Sequence, residues 1–405
     1  LSNFEISTTS LVNCPICFSR IGETAKGFYT SRISLPGFER GVYEVRLDHC
    51  AECDFAFQNP MPDQDSLNKY YELSPFASGN TLSETGTGHV QEERVRNRVS
   101  KLLEMTGRLP SEVKVLDIGA GNGTFLRGLP IEWTKYAVEM SEKGRAVLEG
   151  LGFSIFRDLE SVGSEKFDVI VLSSVLEHFS NPLDATIFIK GLLRETGFLW
   201  LLVPDSHQPR LSLGEFFGFE HVVHFSAKSL ARIQRHAGFA NIRTEVMPDG
   251  ALLSVSSKLG TSADLKISGN GGAGSDDTTI RTTIQKYVQE RTQLRLQFEE
   301  VVNLLKQKIE SGKHLFVWGA GQHSAQVLGD QAWLQGVSGF IDKKAETGRP
   351  ADFLGRPVLA PSDVPWGAVD AVFVSSESFQ REILNDLESL AGPSVEVIVA
   401  YGSAD

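Results

Sequence analysis

The sequence predicts an α/β chain built on a doubly wound sheet with an antiparallel hairpin at its edge. A small cysteine-bearing module precedes the sheet and a second, smaller α/β domain follows it. Three observations predict this. Strand-like apolar runs alternate with helical stretches between 113 and 204; a glycine turn, VLDIGAGNGTFL at 115–126, follows the first of those strands; and a second glycine turn, LFVWGAGQHSAQVL at 315–328, opens another alternation. At 405 residues, 41% hydrophobic and 22% charged, the chain is long enough for two or three domains with real cores.

The charge balance excludes some classes of partner. There are 39 Lys+Arg against 51 Asp+Glu, a net charge of −12, and no run of five or more basic residues that could track phosphates, which argues against nucleic acid. No apolar stretch approaches the ~20 residues that span a bilayer, so no membrane association is expected. The opening LSNFEISTTS lacks a basic n-region and an apolar h-region, and the expected location is cytoplasmic.

All four cysteines fall in two C-x₂-C knuckles, CPIC at 14–17 and CAEC at 50–53. Each knuckle offers two thiolates from one tight turn, and two of them supply the four ligands of a tetrahedral structural zinc site. Cys14, Cys17, Cys50 and Cys53 are therefore the expected metal ligands, in a zinc-binding module over 1–75. YEVRL at 43–47 reads as the strand leading to the second knuckle. His49 reads as a surface neighbour or a competing ligand.

The remaining organisation follows from periodicity and breakers. A helix is expected around 64–71 and another near 89–105, then strands at 113–118, 135–139, 153–157, 167–174 and 197–204. NIRTEVMPDGALLSVSSKL at 241–259 reads as two strands around an Asp249-Gly250 turn, the edge hairpin. This central domain covers 76–260. Residues 260–278 are rich in Gly, Ser and Asp and read as a linker. A helix over 280–311 carries Ile280, Ile284, Tyr287, Leu294, Phe298, Val301 and Leu305 at spacings of three and four, with Arg291 interrupting the stripe. The linker and this helix together occupy 261–312, and the last domain 313–405.

In the first glycine turn Asp117 ends the strand, glycines stand at 119, 121 and 123, and Glu139 closes the next strand where a ribose-binding carboxylate is expected. With Asp158 after the third strand and SSVLEHF at 173–179, including Ser174, closing the fourth, the set resembles class I S-adenosylmethionine (SAM)-dependent methyltransferases. The resemblance implies that Gly119, Gly121 and Gly123 line the methionine part of SAM, that Glu139 takes the ribose, and that Asp158 meets the adenine amine. The third glycine stands one position too early for the dinucleotide motif G-x-G-x-x-G.

The stretch EFFGFEHVVHFSAKSLARIQRHAGF at 215–239 brings Glu220, His221 and His224 within five positions, and His178 lies at the end of strand four. A carboxylate beside an imidazole, with a second imidazole near, offers a base, an orienter and a hydrogen-bond donor. His224 reads equally as a cap for the helix that starts at Ser226. His207, His236, His314 and His323 read as structural or surface.

Taken together the layout is similar to sugar C-methyltransferases acting on nucleotide-linked keto-deoxysugars: a Cys₄ module, a SAM domain, the loop EHVVHFS, a connecting helix and a small Rossmann-like domain. That resemblance implies a small-molecule substrate lying between the first two parts. It implies proton removal next to a keto group by the Glu220–His221 pair, with His178 at the acceptor. Two positions depart from the family: Gly218 stands where it has a tyrosine, and so does Phe76. O-methylation of a sugar or small metabolite, or a non-catalytic SAM- or sugar-binding subunit, are the alternatives. A monomer or homodimer is expected.

In the second turn, GAGQHS at 319–324, Ser324 replaces the third glycine and Asp342 closes the next strand. The domain has room for one mononucleotide-sized half, so it reads either as a holder of the substrate's nucleotide or as an architectural cover.

Overall fold

The computed structural model describes residues 5–34, 42–73, 88–106, 112–209, 211, 216–259, 278–328, 332–347, 352–376, 379–399 and 401. Phe76, the linker over 261–277 and the His323 side chain lie outside the described residues. The chain forms two compact units, Leu1–Arg210 with Phe216–Tyr287, and Leu211–Glu215 with Val288–Asp405. Among the described residues no helix is long and apolar enough to cross a membrane.

The first unit is organised by a seven-stranded sheet. In spatial order its strands are β12 (Ala240–Val246), β13 (Ala251–Ser257), β10 (Leu193–Pro204), β9 (Phe167–Ser173), β6 (Lys114–Ile118), β7 (Thr134–Val138) and β8 (Ser154–Phe156). The five strands from β10 to β8 pair in parallel, whereas β13 runs antiparallel to both β10 and β12. The edge hairpin read from the sequence is therefore present, and its turn uses Gly250 at φ +77°. The central strands are buried on both faces. Val115, Val169 and Val171 pack on one side with Trp200, while Leu116, Ile118 and Ile170 pack on the other.

The helices flanking this sheet start where side chains can cap them. Asn181 caps α5 (Pro182–Leu192), with Pro182 in its first turn, and Ser141 caps α4 (Glu142–Gly150). Ser226 and Ser229 form a reciprocal capping box on α6 (Ala227–His236), so the helix after the histidine stretch is capped by a hydroxyl and not by His224.

The N-terminal residues build a four-stranded antiparallel sheet ordered β11 (Val223–His224), β4 (Phe55–Gln58), β3 (Val42–Cys50) and β2 (Tyr29–Ser34). Its outer strand β11 comes from the histidine stretch, pairing Val223 with Phe57 and His224 with Ala56. Cys14, Cys50, Cys53, Phe55 and Phe57 share one continuous core with Leu116, Ile118 and Ile170 of the large sheet. His49 is buried, not a surface neighbour, because its Nε2 faces the Asp54 carboxylate at 2.9 Å.

The long helix α7 (Ile280–Glu310) begins in the first unit, where Ile280, Ile284 and Tyr287 are buried. Its later residues, Leu294, Phe298, Val301 and Leu305, pack into the core of the second unit. Arg291, read from the sequence as breaking the stripe, is itself buried. The second unit carries a sheet in the order β16 (Asp352–Phe353), β17 (Arg356–Leu359), β15 (Gly339–Ile341), β14 (Leu315–Trp318), β18 (Ala371–Val374) and β19 (Glu396–Val399), parallel except at β16.

Candidate functional site

The first glycine turn leaves β6 with Gly119, Gly121 and Gly123 at φ +75°, +56° and +73°. Only glycine enters this region freely. The three positions differ in what surrounds them. A Cβ on Gly119 would stand 2.5 Å from Cγ2 of Val175, and one on Gly123 would stand 2.7 Å from Leu148, so these two glycines are required by packing. A Cβ on Gly121 would meet nothing within 4 Å, so the backbone there faces open space. The Gly121 N–H donates to Oε2 of Glu139 at 2.7 Å, and the Ser141 N–H donates to its Oε1 at 2.7 Å.

Asp117 is buried beneath the turn, and burial, helped by the Glu139 charge, pushes its carboxyl up to about 8. Below that pH the carboxyl is neutral in the ligand-free protein, and a cation bound in the open turn would favour its ionised form. Asp158 holds the Ser161 N–H through Oδ1 at 2.8 Å at the end of β8. Ser174 is exposed at φ +59°, where the chain leaves β9. Asp117, Glu139, Asp158 and Ser174 all stand at or just past the carboxyl ends of parallel strands, where open α/β sheets bind ligands.

Beyond Ser174 the chain makes one turn of 3₁₀ helix, Leu176–His178, and presents His178 to the histidine stretch. Nδ1 of His178 donates to the Glu220 carbonyl at 2.7 Å, which places a proton on Nδ1. Nδ1 of His221 donates to the Phe216 carbonyl at 3.1 Å with the same consequence. The two rings lie 5.1 Å apart. Burial, with the neighbouring His221, holds His178 down to about 3, and burial also lowers His221 against the opposing pull of Glu220. Both imidazoles are neutral at neutral pH. His224 is buried in β11, its ring centroid 4.9 Å from that of Phe217, and its Nε2 has no hydrogen-bond partner among the described residues.

Three groups here escaped the sequence reading. From α1 (Gln64–Leu73), Tyr70 donates its hydroxyl to Oε1 of Glu220 at 2.5 Å, and the Tyr71 hydroxyl lies 2.6 Å from Nδ1 of His178. Phenolic hydroxyls thus reach this site from a helix, although Gly218 removes one position at which they were expected. Glu177 is buried with no hydrogen-bond partner from another residue among the described residues, and burial pushes it up to about 8. It carried a signal, a carboxylate beside a histidine, like the one that marked Glu220. Glu177, His178 and His221 place ligand atoms within 4.8 Å of one another. However, Glu177 Oε1 and His178 Nε2 are 3.9 Å apart, wider than the ~3.0–3.4 Å between atoms sharing an ion at ~2.1 Å.

The four cysteine sulfurs are unbridged and mutually close, with Cys14 to Cys53 at 3.6 Å and Cys17 to Cys50 at 3.5 Å. Sulfurs on a tetrahedral zinc at ~2.3 Å stand ~3.8 Å apart, so this donor set fits the ion closely. Packed this way the thiols cannot all ionise alone: the Cys50 neighbour, together with burial, pushes Cys14 up to about 12. In the knuckle the Ile16 N–H points to Sγ of Cys14 at 3.5 Å.

Residues 89–244, which contain the glycine turn, Glu139, Ser174, His178 and the histidine stretch, match the family model described as a methyltransferase domain. Over those residues the chain carries a SAM-dependent methyltransferase domain. Among solved structures, this methyltransferase is similar to the plantazolicin methyltransferase BpumL in complex with SAH, at 13% identity over 47% of this chain and 93% of that one, with TM-score 0.39. It is also similar to an O-methyltransferase family protein from Burkholderia thailandensis, at 18% identity over 48% and 62%, TM-score 0.37. A third is a SAM-dependent methyltransferase from Archaeoglobus fulgidus, at 15% identity over 41% and 94%, TM-score 0.33. No curated protein matches the chain.

In the second unit, Gly319 at φ +116° ends β14, and the Ala320 N–H donates to Oδ2 of Asp342 at 3.1 Å. Ser324, in place of a third glycine, donates to the Gly319 carbonyl at 2.6 Å and lies 2.6 Å from the Ser375 hydroxyl. A Cβ on Gly321 would meet nothing within 4 Å.

Proposed function

We propose that this methyltransferase places a methyl group on the carbon next to a carbonyl in a nucleotide-linked keto-deoxysugar. The observation that carries the reading is the state of His221: neutral, with its proton fixed on Nδ1 by the Phe216 carbonyl so that Nε2 is left to accept, and under the charge of Glu220. Gly119, Gly121, Gly123, Asp117, Glu139, Asp158 and Ser174 would hold SAM, which when bound supplies an electrophilic methyl group. His221 Nε2 takes the proton from the carbon beside the carbonyl, and the C–H electron pair moves onto the carbonyl oxygen as an enolate. Glu220, held by the Tyr70 hydroxyl, stabilises the imidazolium that forms. With Nδ1–H of His178 directed at the Glu220 carbonyl and the Tyr71 oxygen, the Tyr71 proton is left to face the enolate oxygen. In this reading His178 acts through Tyr71, and Tyr71 is the group at the acceptor.

Cys14, Cys17, Cys50 and Cys53 would hold one structural zinc ion, because four thiolates leave no open position for substrate.

The test is hydrogen exchange at the reacting carbon. A panel of nucleoside-diphosphate keto-deoxysugars in D₂O with SAH should take up deuterium next to the carbonyl with the native enzyme and lose that exchange in His221→Gln. A methyl group found on oxygen in the SAM reaction, with no exchange at carbon, would replace C-methylation by O-methylation.

A further inference from the structure

The loop that carries Glu220 and His221 has no regular secondary structure between Phe216 and Val222, turns through Gly218, and becomes a strand at Val223. Tyr70 and His178 hold it at Glu220, the Glu177 carbonyl accepts from the Val222 N–H, and one side chain of the N-terminal sheet gathers its carbonyls. Gln58, the last residue of β4, is completely buried. Its Nε2 lies 3.2 Å from the Gly218 carbonyl, 3.1 Å from that of Phe219 and 3.3 Å from that of His221. Its backbone N–H donates to the Val222 carbonyl at 2.8 Å. Four carbonyls within five residues thus converge on Gln58, and the loop is wrapped around its amide. Three carbonyl partners require a donor there, and on the other side the Tyr43 hydroxyl donates to Oε1 at 3.4 Å, so the amide orientation is fixed.

We propose that Gln58 is a positioning residue for methyl transfer: its amide sets the loop conformation in which Glu220 stands beside Tyr70 and the His221 ring donates to Phe216. The inference rests on the reading of Glu220 and His221 as reacting groups. The chemistry selects glutamine here. Glutamate would set a carboxylate against three carbonyl oxygens, and methionine would fill the volume while leaving all three without a donor. Gln58 follows Cys53 by five residues in the strand that leaves the second knuckle, so the cysteine cluster anchors the strand that anchors the loop.

The test reads the loop directly and needs no sugar. Full-length Gln58→Met, ¹⁵N-labelled at histidine and saturated with SAH, is compared with native protein at pH 7. The native His221 ring should show the single Nδ1–H tautomer. In the variant it should show both tautomers, with amide exchange over 216–222 about tenfold faster or more. SAH affinity and the metal content of the cysteine cluster should stay unchanged. A single Nδ1–H tautomer and native exchange in the variant would overturn the inference. If Gln58→Met does not fold, Gln58→Asn, which keeps the amide but draws it back by one methylene, is read the same way. Exchange rising across the whole seven-stranded sheet in both variants would make Gln58 an element of the fold and would also overturn it. Full turnover in His221→Gln would remove the reading of the reacting groups while leaving the loop measurement standing, so the two failures are distinct.

Discussion

The backbone N–H of Gly121 and the carboxylate of Glu139 meet at 2.7 Å across the mouth of the glycine turn. One acidic side chain therefore shapes the turn, and it is the group proposed to receive the ribose. Glu139→Ala should abolish SAM binding by calorimetry while the fold persists. Gly121→Val should do the same by obstructing backbone approach, at a stability cost of about 1–3 kcal/mol for a branched residue at positive φ. Gly119→Ala and Gly123→Ala, whose new methyls would strike Val175 and Leu148, should instead lower the melting temperature. Unchanged SAM affinity in Glu139→Ala would show that the ribose lies elsewhere.

The cysteine cluster should bind one zinc per chain with Zn–S distances near ~2.3 Å by X-ray absorption. Chelation, or Cys53→Ser, should destabilise the N-terminal sheet. Protein purified without chelator that contains no metal would sink the assignment.

Asp117 gives the ligand-free enzyme a pH dependence. Its carboxyl is raised from 3.8 to about 8, so its contribution is fully present below pH 3.8 and is lost as pH rises through 8. Stability should fall over that window, by on the order of a few kcal/mol for a group so deeply buried. Asp117→Asn should flatten the fall and, with the carboxylate gone, weaken SAM binding. Parallel melting curves for the two proteins between pH 5 and 8 would refute this.

Asp54, one residue past Cys53, accepts from Nε2 of His49 at 2.9 Å, Nε2 of His207 at 2.6 Å and the Ile280 N–H at 2.9 Å. Asp54→Ala leaves two histidines and a helix start without their common acceptor, and should cost about 3–5 kcal/mol in denaturant unfolding. His207→Ala, removing one donor at a partly exposed position, should cost less, about 1–2 kcal/mol.

Gly321→Asp tests the second unit. The position has room for a side chain, so the fold should survive, while a carboxylate near a diphosphate should weaken nucleotide-sugar binding and leave SAM affinity alone. Intact sugar affinity would assign the second turn to architecture.

Much of this was legible because its signals are local. Two cysteine knuckles, a glycine turn with Glu139 one strand later, and a hairpin around Asp249-Gly250 are each written in a few adjacent residues. What stayed hidden depends on distant chain. Tyr70 meets Glu220 across 150 residues and Tyr71 meets His178 across 107, and periodicity reports only which face of α1 is apolar. Gln58 looks like an ordinary polar residue at a strand end until four carbonyls close on it. His49 reads as exposed because nothing in the sequence shows that Asp54, at φ +50°, turns its carboxylate inward to meet it.

The strand supplied by Val223 and His224 completes a sheet whose other strands lie far earlier in the chain, and the Gln58 contact to Gly218 spans 160 residues. A ribosome adding 5–20 residues per second takes roughly 10–30 s to make that stretch. During that time the edge of β4 has no native neighbour, and an unpaired edge is a template for foreign strands. The growing chain is therefore most exposed to mispairing in that interval. The loop that carries Glu220 and His221 and the cover for that edge then arrive together, near the middle of synthesis.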